Sequence, residues 1–260
     1  MSVYSLLGAP QLGQMYTRLI FALDVATVPE ALELVQLLRN EVGMFKIGKQ
    51  LFLHAGPDVV REIKRQGADV FLDLKFHDIP RTVAKAGAEA TRLGVRMFDL
   101  HASGSVSMMR QTIAEVNKVC RTEHVVRPKL LAVTVLTSLN QQDLKRLGVR
   151  SGVENQVVRL AKLAREAGMD GVVASPHEVA RIRKECGRKF LIVTPGIRPP
   201  RGAMDDQKRG MTPEAAVRAG ANYLVVGSPI RDAADPIAAA RSIVAAMERG
   251  AGLLGQTEHA

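Results

Sequence analysis

A closed parallel (β/α)8 barrel in a single domain is the fold this 260-residue chain predicts, and three observations predict it. Short apolar runs alternate with segments of helical period, and they do so eight times. The runs are apolar on both faces, as strands covered by helices are, rather than alternating apolar and polar like a half-wet sheet. The third observation is positional. Asp24, Lys46, Asp73, Lys75, Asp99, His101, Thr134, Thr137, Ser175, Thr194 and Ser228 all stand at or just past the ends of the runs, and in a barrel every strand delivers its carboxyl end to one rim, where the chemistry is placed. A doubly wound open sheet is the competing architecture; eight strand–helix units favour closure.

The first strand is expected over 19–25, and its helix, 29–41, opens at Pro29 and stops before Gly43. A proline in the first helical turn loses no hydrogen bond, and a glycine just past the end supplies the stop, so this pattern marks boundaries. It repeats: strand 44–49 with helix 57–66 from Pro57 to Gly67, then strand 70–75 with helix 80–93 from Pro80 to Gly94. Strand 97–101 is followed by a helix over 105–119 that rests on periodicity alone. Strand 130–136 leads to helix 153–167, ended by Gly168. Strand 171–174 leads to helix 176–185, between Pro176 and Gly187. Strand 190–194 precedes helix 213–219, between Pro213 and Gly220, and strand 223–226 precedes helix 236–249, opened by Pro236.

Composition bounds the function. With 47% hydrophobic and 24% charged residues the chain can bury one full core. No run approaches the roughly 20 apolar residues of a membrane span, and the opening Met1-Ser-Val-Tyr-Ser-Leu-Leu-Gly-Ala-Pro lacks the charged start of a secretory signal, so a cytoplasmic location is expected. The barrel is expected over 15–249, with a flexible extension over 1–14 and a flexible tail over 250–260. Cys120 and Cys186 have neither CxxC spacing nor nearby histidine ligands, which points to reduced structural thiols and no metal. A net charge of +10 invites nucleic acid as a partner, but Lys and Arg are spread over many helices, aromatics are 4% and Trp is absent, so no basic stacking platform is visible. An anionic small substrate accounts for the excess.

The most informative string is Asp73-Leu-Lys75-Phe-His-Asp78. Alternate strand residues share a face, so Asp73 and Lys75 are expected to project together, with Asp78 in the following turn and Lys46 closing the neighbouring strand. In isolation such a string is usually a surface ion-pair ladder; at a barrel rim the charges converge. The connection over 195–212 is far longer than a usual β-to-α link and mixes Gly and Pro with Arg198, Arg201, Gln207, Lys208 and Arg209, the composition of an anion-closing lid. At the tip of the eighth strand Gly227 allows backbone N–H groups to approach a ligand, in the region where barrels commonly hold phosphate, although ordinary turn chemistry also accounts for it. His77, His101 and Ser103 read as rim or helix-entry residues rather than as metal ligands or a nucleophile, because no second ligand cluster or strained GxSxG turn accompanies them.

Phe21-Ala-Leu-Asp24, Phe45-Lys46-Ile-Gly48, Asp73-Leu-Lys75-Phe-His-Asp78-Ile-Pro-Arg-Thr82, Val133-Thr-Val-Leu-Thr137-Ser, Thr194-Pro-Gly-Ile-Arg198-Pro, Asp206-Gln207-Lys208 and Val226-Gly227 together resemble the bacterial orotidine 5′-phosphate decarboxylases, from about residue 18 to about 246. The resemblance implies cofactor-independent decarboxylation of orotidine 5′-monophosphate to uridine 5′-monophosphate in pyrimidine biosynthesis. It implies that Lys46, Asp73, Lys75 and Asp78 form a charged tetrad in which Lys75 protonates C6, with Asp78 and Thr82 completing the site of the other subunit of a homodimer. Asp24, Lys46, Asp78 and Thr82 would hold ribose hydroxyls and Thr137 would lie by the pyrimidine. Arg198, Gln207, Gly227 and Ser228 would close on the phosphate. A related barrel enzyme acting on a sugar phosphate, such as a metal-dependent keto-sugar phosphate decarboxylase or synthase, is the alternative. One position departs from the pattern: the family normally has arginine after the glycine of strand eight, and here Ser228 stands there. Arg231 either substitutes for it, if the turn aims it inward, or faces solvent.

Overall fold

The computed structural model describes residues 15–198 and 211–256, with side chains as far as 252. Its eight strands are β1 (Leu19–Ala22), β2 (Met44–Gly48), β3 (Val70–Phe76), β4 (Met97–His101), β5 (Lys129–Val133), β6 (Gly171–Val173), β7 (Leu191–Thr194) and β8 (Tyr223–Val226). They pair in parallel in sequence order, and β8 pairs back onto β1, so the barrel is closed as expected.

Register explains both the core and the site. Ile20 lies opposite Met44 and Phe71 opposite Met97, and these four meet Leu131, Val193 and Val225 in a compact apolar cluster inside the barrel. The intervening residues, among them Phe21, Phe45, Leu72 and Phe98, belong to the larger layer between strands and helices, where the Phe21 and Phe45 rings meet edge to face at 6.1 Å. Because the side-chain period of a strand is two, the inward series continues upward from Met44 to Lys46, from Phe71 to Asp73 and from Met97 to Asp99. Apolar floor and charged rim are one repeat apart on the same strands.

The helices are α1 (Val28–Leu38), α2 (Lys49–Ala55), α3 (Asp58–Arg65), α4 (Pro80–Arg92), α5 (Val106–Glu123), α6 (Gln141–Arg146), α7 (Val153–Ala167), α8 (Val179–Cys186), α9 (Pro213–Arg218), α10 (Ser228–Arg231) and α11 (Pro236–Gln256). Three are additions to the sequence reading: α2, α6 and α10. Helix α6 has a clear local cause, since Asn140 Oδ1 accepts the amides of Gln142 and Asp143 while Asp143 Oδ2 accepts the Asn140 amide, a complete capping box. Several expected boundaries need correction; β1, for one, ends at Ala22 rather than Val25. Strand β5 ends at Val133, short of Leu136, because the Thr134 hydroxyl and amide both turn to the Val173 carbonyl and the chain then leaves the sheet. The expected tail from Gly250 is also shorter: α11 runs to Gln256, and Gly250 is buried so closely against the Glu214 backbone that a side chain there would collide with it. The remainder of the tail, and the extension over 1–14, lie outside the described residues.

At the end opposite the rim, Arg18 seals β1 to β8, its Nε donating to the Asn222 carbonyl at 2.7 Å and its Nη2 to the Ala221 carbonyl at 2.6 Å. Cys120 and Cys186 are unpaired, on different helices. No helix among the described residues is long and apolar enough to cross a membrane.

Candidate active site

Strand ends β1, β2 and β3 bring four charged side chains into one continuous chain of contacts. Lys46 Nζ lies 3.2 Å from Asp24 Oδ1 and 3.3 Å from Asp73 Oδ2, and Lys75 Nζ pairs with Asp73 Oδ1. Asp73 therefore carries a lysine on each oxygen. Exposure grades along the chain: the Lys46 and Asp73 side chains are 11% and 12% exposed, Lys75 26% and Asp24 56%. The pair deepest in the barrel is thus held for geometry, while Lys75 and Asp24 face the opening. Burial alone would raise the Asp73 carboxyl, but a hydrogen bond with Asp99 and the charges of Lys46 and Lys75 outweigh it and hold the pKa at about 2. Burial likewise works against the Lys46 charge, and Asp73 and Asp24 more than compensate, leaving its pKa above the ordinary value.

The alternation expected for Asp73 and Lys75 is interrupted. Pairing of β3 with β4 slips between Leu72 and Phe76, and within that bulge Lys75 adopts φ 52°, the left-handed region. A non-glycine residue held there costs on the order of 1–3 kcal/mol and persists only where its surroundings impose it. What imposes it is β4: the Lys75 amide donates to Asp99 Oδ1 at 2.8 Å. The bulge re-aims the lysine without breaking its contact to Asp73.

The Lys46–Asp73–Lys75 group forms one side of a cavity of about 250 Å³, whose opposite walls are apolar, from Phe71, Val133, Val173 and Val225. Thr137 and Pro195 stand at its edge, where it adjoins a second cavity of about 370 Å³ below Asn140 and Ser175. A flat ring fits between apolar walls while its polar edge meets the charges. Two glycines flank the Asp24 carboxylate: a Cβ at Gly48 would lie in contact with Oδ1 at 3.6 Å and one at Gly227 with Oδ2 at 3.5 Å. Gly227, expected near a phosphate, packs against the end of β1 beside Ala22 and Asp24.

Several expected residues stand apart. Asp78 is exposed, with Oδ1 accepting the amide of Ile79 at 2.6 Å, and Thr82 is exposed on α4; neither lines the cavity. Arg198 is at the surface, and its amide donates to the Met211 carbonyl across an Ile197–Met211 bridge that draws together the two ends of the long connection. Gln207, with Arg201, Lys208 and Arg209, lies outside the described residues. Ser228 is exposed at the start of α10. Arg231 turns toward the rim: Nη1 donates to the Asp24 carbonyl at 2.8 Å, while Nε and Nη2 grip Asp232 at 2.7 and 3.1 Å. Its charge is already matched.

Beside Lys75, the His77 and His101 rings meet at a tilt of 35° with centroids 5.2 Å apart. Burial, then the charges of His77, Lys75 and Lys49, push the His101 pKa down to about 4, so His101 is neutral at pH 7. Among the described residues no three His, Cys, Asp or Glu side chains are grouped as a metal ion would need.

Comparison with known proteins matches residues 17–243 to the family described as orotidine 5′-phosphate decarboxylase / HUMPS. A protein of Geotalea daltonii named orotidine 5′-phosphate decarboxylase is 53% identical over 90% of this chain and 97% of its own length. One of the same name from Geobacter sulfurreducens is 54% identical over 89% and 96%. Among solved structures, orotidine 5′-phosphate decarboxylase from Lactobacillus acidophilus superposes with a TM-score of 0.79 at 36% identity, covering 88% of this chain and 98% of that one.

Proposed function

From the premise that the chain belongs to the orotidine 5′-phosphate decarboxylase / HUMPS family and is an enzyme of the decarboxylase kind within it, we propose that Lys75 is the proton donor of a cofactor-independent decarboxylation at this rim. The substrate is orotidine 5′-monophosphate, the products uridine 5′-monophosphate and carbon dioxide, and the setting pyrimidine biosynthesis in the cytoplasm. The C6–carboxylate bond breaks, its electron pair stays on C6, and a proton from the Lys75 ammonium takes the vacated position. Lysine is then reprotonated from solvent. The carbanion is vinylic and has no adjacent carbonyl to spread its charge, so stabilisation must come from fixed charge nearby. The observation that carries this reading is the doubly paired Asp73, which holds Lys75 at the mouth of an apolar-walled cavity. Asp73 positions the ammonium, and its own charge repels the departing carboxylate, a repulsion that falls as carbon dioxide leaves.

On this reading Asp24 and Lys46 take ribose hydroxyls, Thr137 lies by the pyrimidine, and Arg198, Gln207, Gly227 and Ser228 close on the phosphate. Grip on the phosphate, remote from C6, is binding energy available for assembling the site. The site is completed across a homodimer by the partner's Asp78 and Thr82. Support comes from the exposed cluster of Asp78, Thr82 and a 65% exposed Ile79 beside the rim, which leaves these side chains unused within one chain.

Mixing purified protein with orotidylate in EDTA is expected to give full loss of orotidylate absorbance. A requirement for added divalent metal would instead favour a metal-dependent sugar-phosphate enzyme of the same family. A second expected result concerns Ser228. Because Arg231 is already bound to Asp232 and the Asp24 carbonyl, Ser228→Arg adds a second guanidinium to that of Arg198 at the phosphate end. A charge-assisted contact of about 1.5–3 kcal/mol corresponds to a rise of roughly 10- to 100-fold in kcat/KM. An unchanged kcat/KM would mean that the charge is already supplied elsewhere.

A further inference from the structure

Asp99 sits at the base of the charge cluster with no cation of its own. It is fully buried, two residues above Met97 on the inward face of β4. Its Oδ1 accepts the Lys75 amide at 2.8 Å, and its Oδ2 has no donor to accept from. Across the bulge lies Asp73, whose two oxygens already hold Lys46 and Lys75 and whose negative charge acts against a second one at Asp99. A fully buried carboxylate oxygen with no donor, next to a second carboxylate that keeps its charge, is relieved by a proton. On its other side β5 faces Asp99 with Leu131, and above it on β4 stands His101, neutral at pH 7.

We propose that Asp99 is a neutral carboxylic acid in the working enzyme, a positioning residue whose carbonyl fixes the backbone of Lys75 and whose O–H donates to Asp73. The assignment resolves the orphaned Oδ2 by making it a donor, and it gives every polar atom around the reacting ammonium a partner. Burial first, and the Asp73 charge second, raise the Asp99 carboxyl well above the usual range, in the same sense, with Lys75 opposing. Asp73 keeps the negative charge because it has the two lysines. Asp99 then acts through Lys75 and Asp73 without touching substrate.

The inference rests on the decarboxylase reading for its kinetic arm only. Asparagine reproduces a neutral acid, with one acceptor for the Lys75 amide and one donor for Asp73, so Asp99→Asn is expected to keep kcat and KM within about threefold of the parent. Asp99→Leu strands both partners, and its kcat is expected to fall roughly 10- to 100-fold with KM little changed. An infrared difference spectrum of parent minus Asp99→Asn at pH 7 is expected to show the carbonyl stretch of a protonated carboxylic acid that shifts in deuterium oxide. If Asp99→Asn loses as much as Asp99→Leu, or the difference spectrum shows only carboxylate bands, the proposal is overturned. The spectrum does not depend on turnover, so an inactive parent with the acid band present would overturn the decarboxylase reading and leave Asp99 as assigned.

Discussion

Lys75→Ala is expected to lower kcat by at least about 10⁴-fold while uridine 5′-monophosphate still binds measurably. General-acid transfer by a placed side chain contributes typically ~10²–10⁴-fold and a fixed charge beside a developing anion ~10²–10³-fold, and one ammonium supplies both here. The fold should survive the change. Asp73 retains Lys46 at 3.3 Å, so no buried charge is left alone, and alanine inherits the same left-handed backbone that lysine tolerates. Single-turnover measurement of carbon dioxide release, with product affinity as the control for folding, reads the effect. Near-parental decarboxylation would remove Lys75 from the mechanism and, with it, the reason for the bulge.

The second large effect tests whether the site is shared. Asp78→Ala alone is expected to lose roughly 10²–10³-fold by removing one fixed, oriented charge. Combined with Lys75→Ala on separate chains, the two defects are expected to complement. In a two-fold dimer whose sites each draw Lys75 from one chain and Asp78 from the other, a mixed pair has one doubly damaged site and one intact site. Random mixing makes half the dimers mixed, so recovery of roughly a quarter of parental activity is expected from equal amounts of the two inactive proteins, refolded together. If Asp78 served its own subunit, every site would stay damaged and no activity would return. The exposed Asp78, Ile79 and Thr82 edge is where the shared arrangement is expected to form.

Most of the architecture could be read from the chain because its signals are local: apolar runs of strand length, and proline and glycine as punctuation around helices. The helices that escaped notice fail that test. Helix α2 follows β2 directly, and its Leu51, Phe52 and Leu53 prolong an apolar run instead of showing a helical face. Helix α6 carried a readable Asn140–Asp143 cap inside what looked like a connection. At the site, Asp24, Lys46, Asp73 and Lys75 were legible because strand ends converge in a barrel. The bulge was not, since Asp73 and Lys75 have the spacing of a regular strand whether or not the backbone slips. The partners of Arg231 depend on α10, a single turn that no periodicity announces. The proton on Asp99 depends on two lysines arriving from other strands, which linear sequence does not contain.

The left-handed backbone at Lys75 sets a limit on how this protein can be improved. Residues comfortable in that conformation are glycine and asparagine, neither of which carries an ammonium. On the role proposed for Lys75, selection for heat resistance alone would drift toward them at position 75 and discard turnover, so laboratory evolution of a tougher variant has to screen for catalysis at every round.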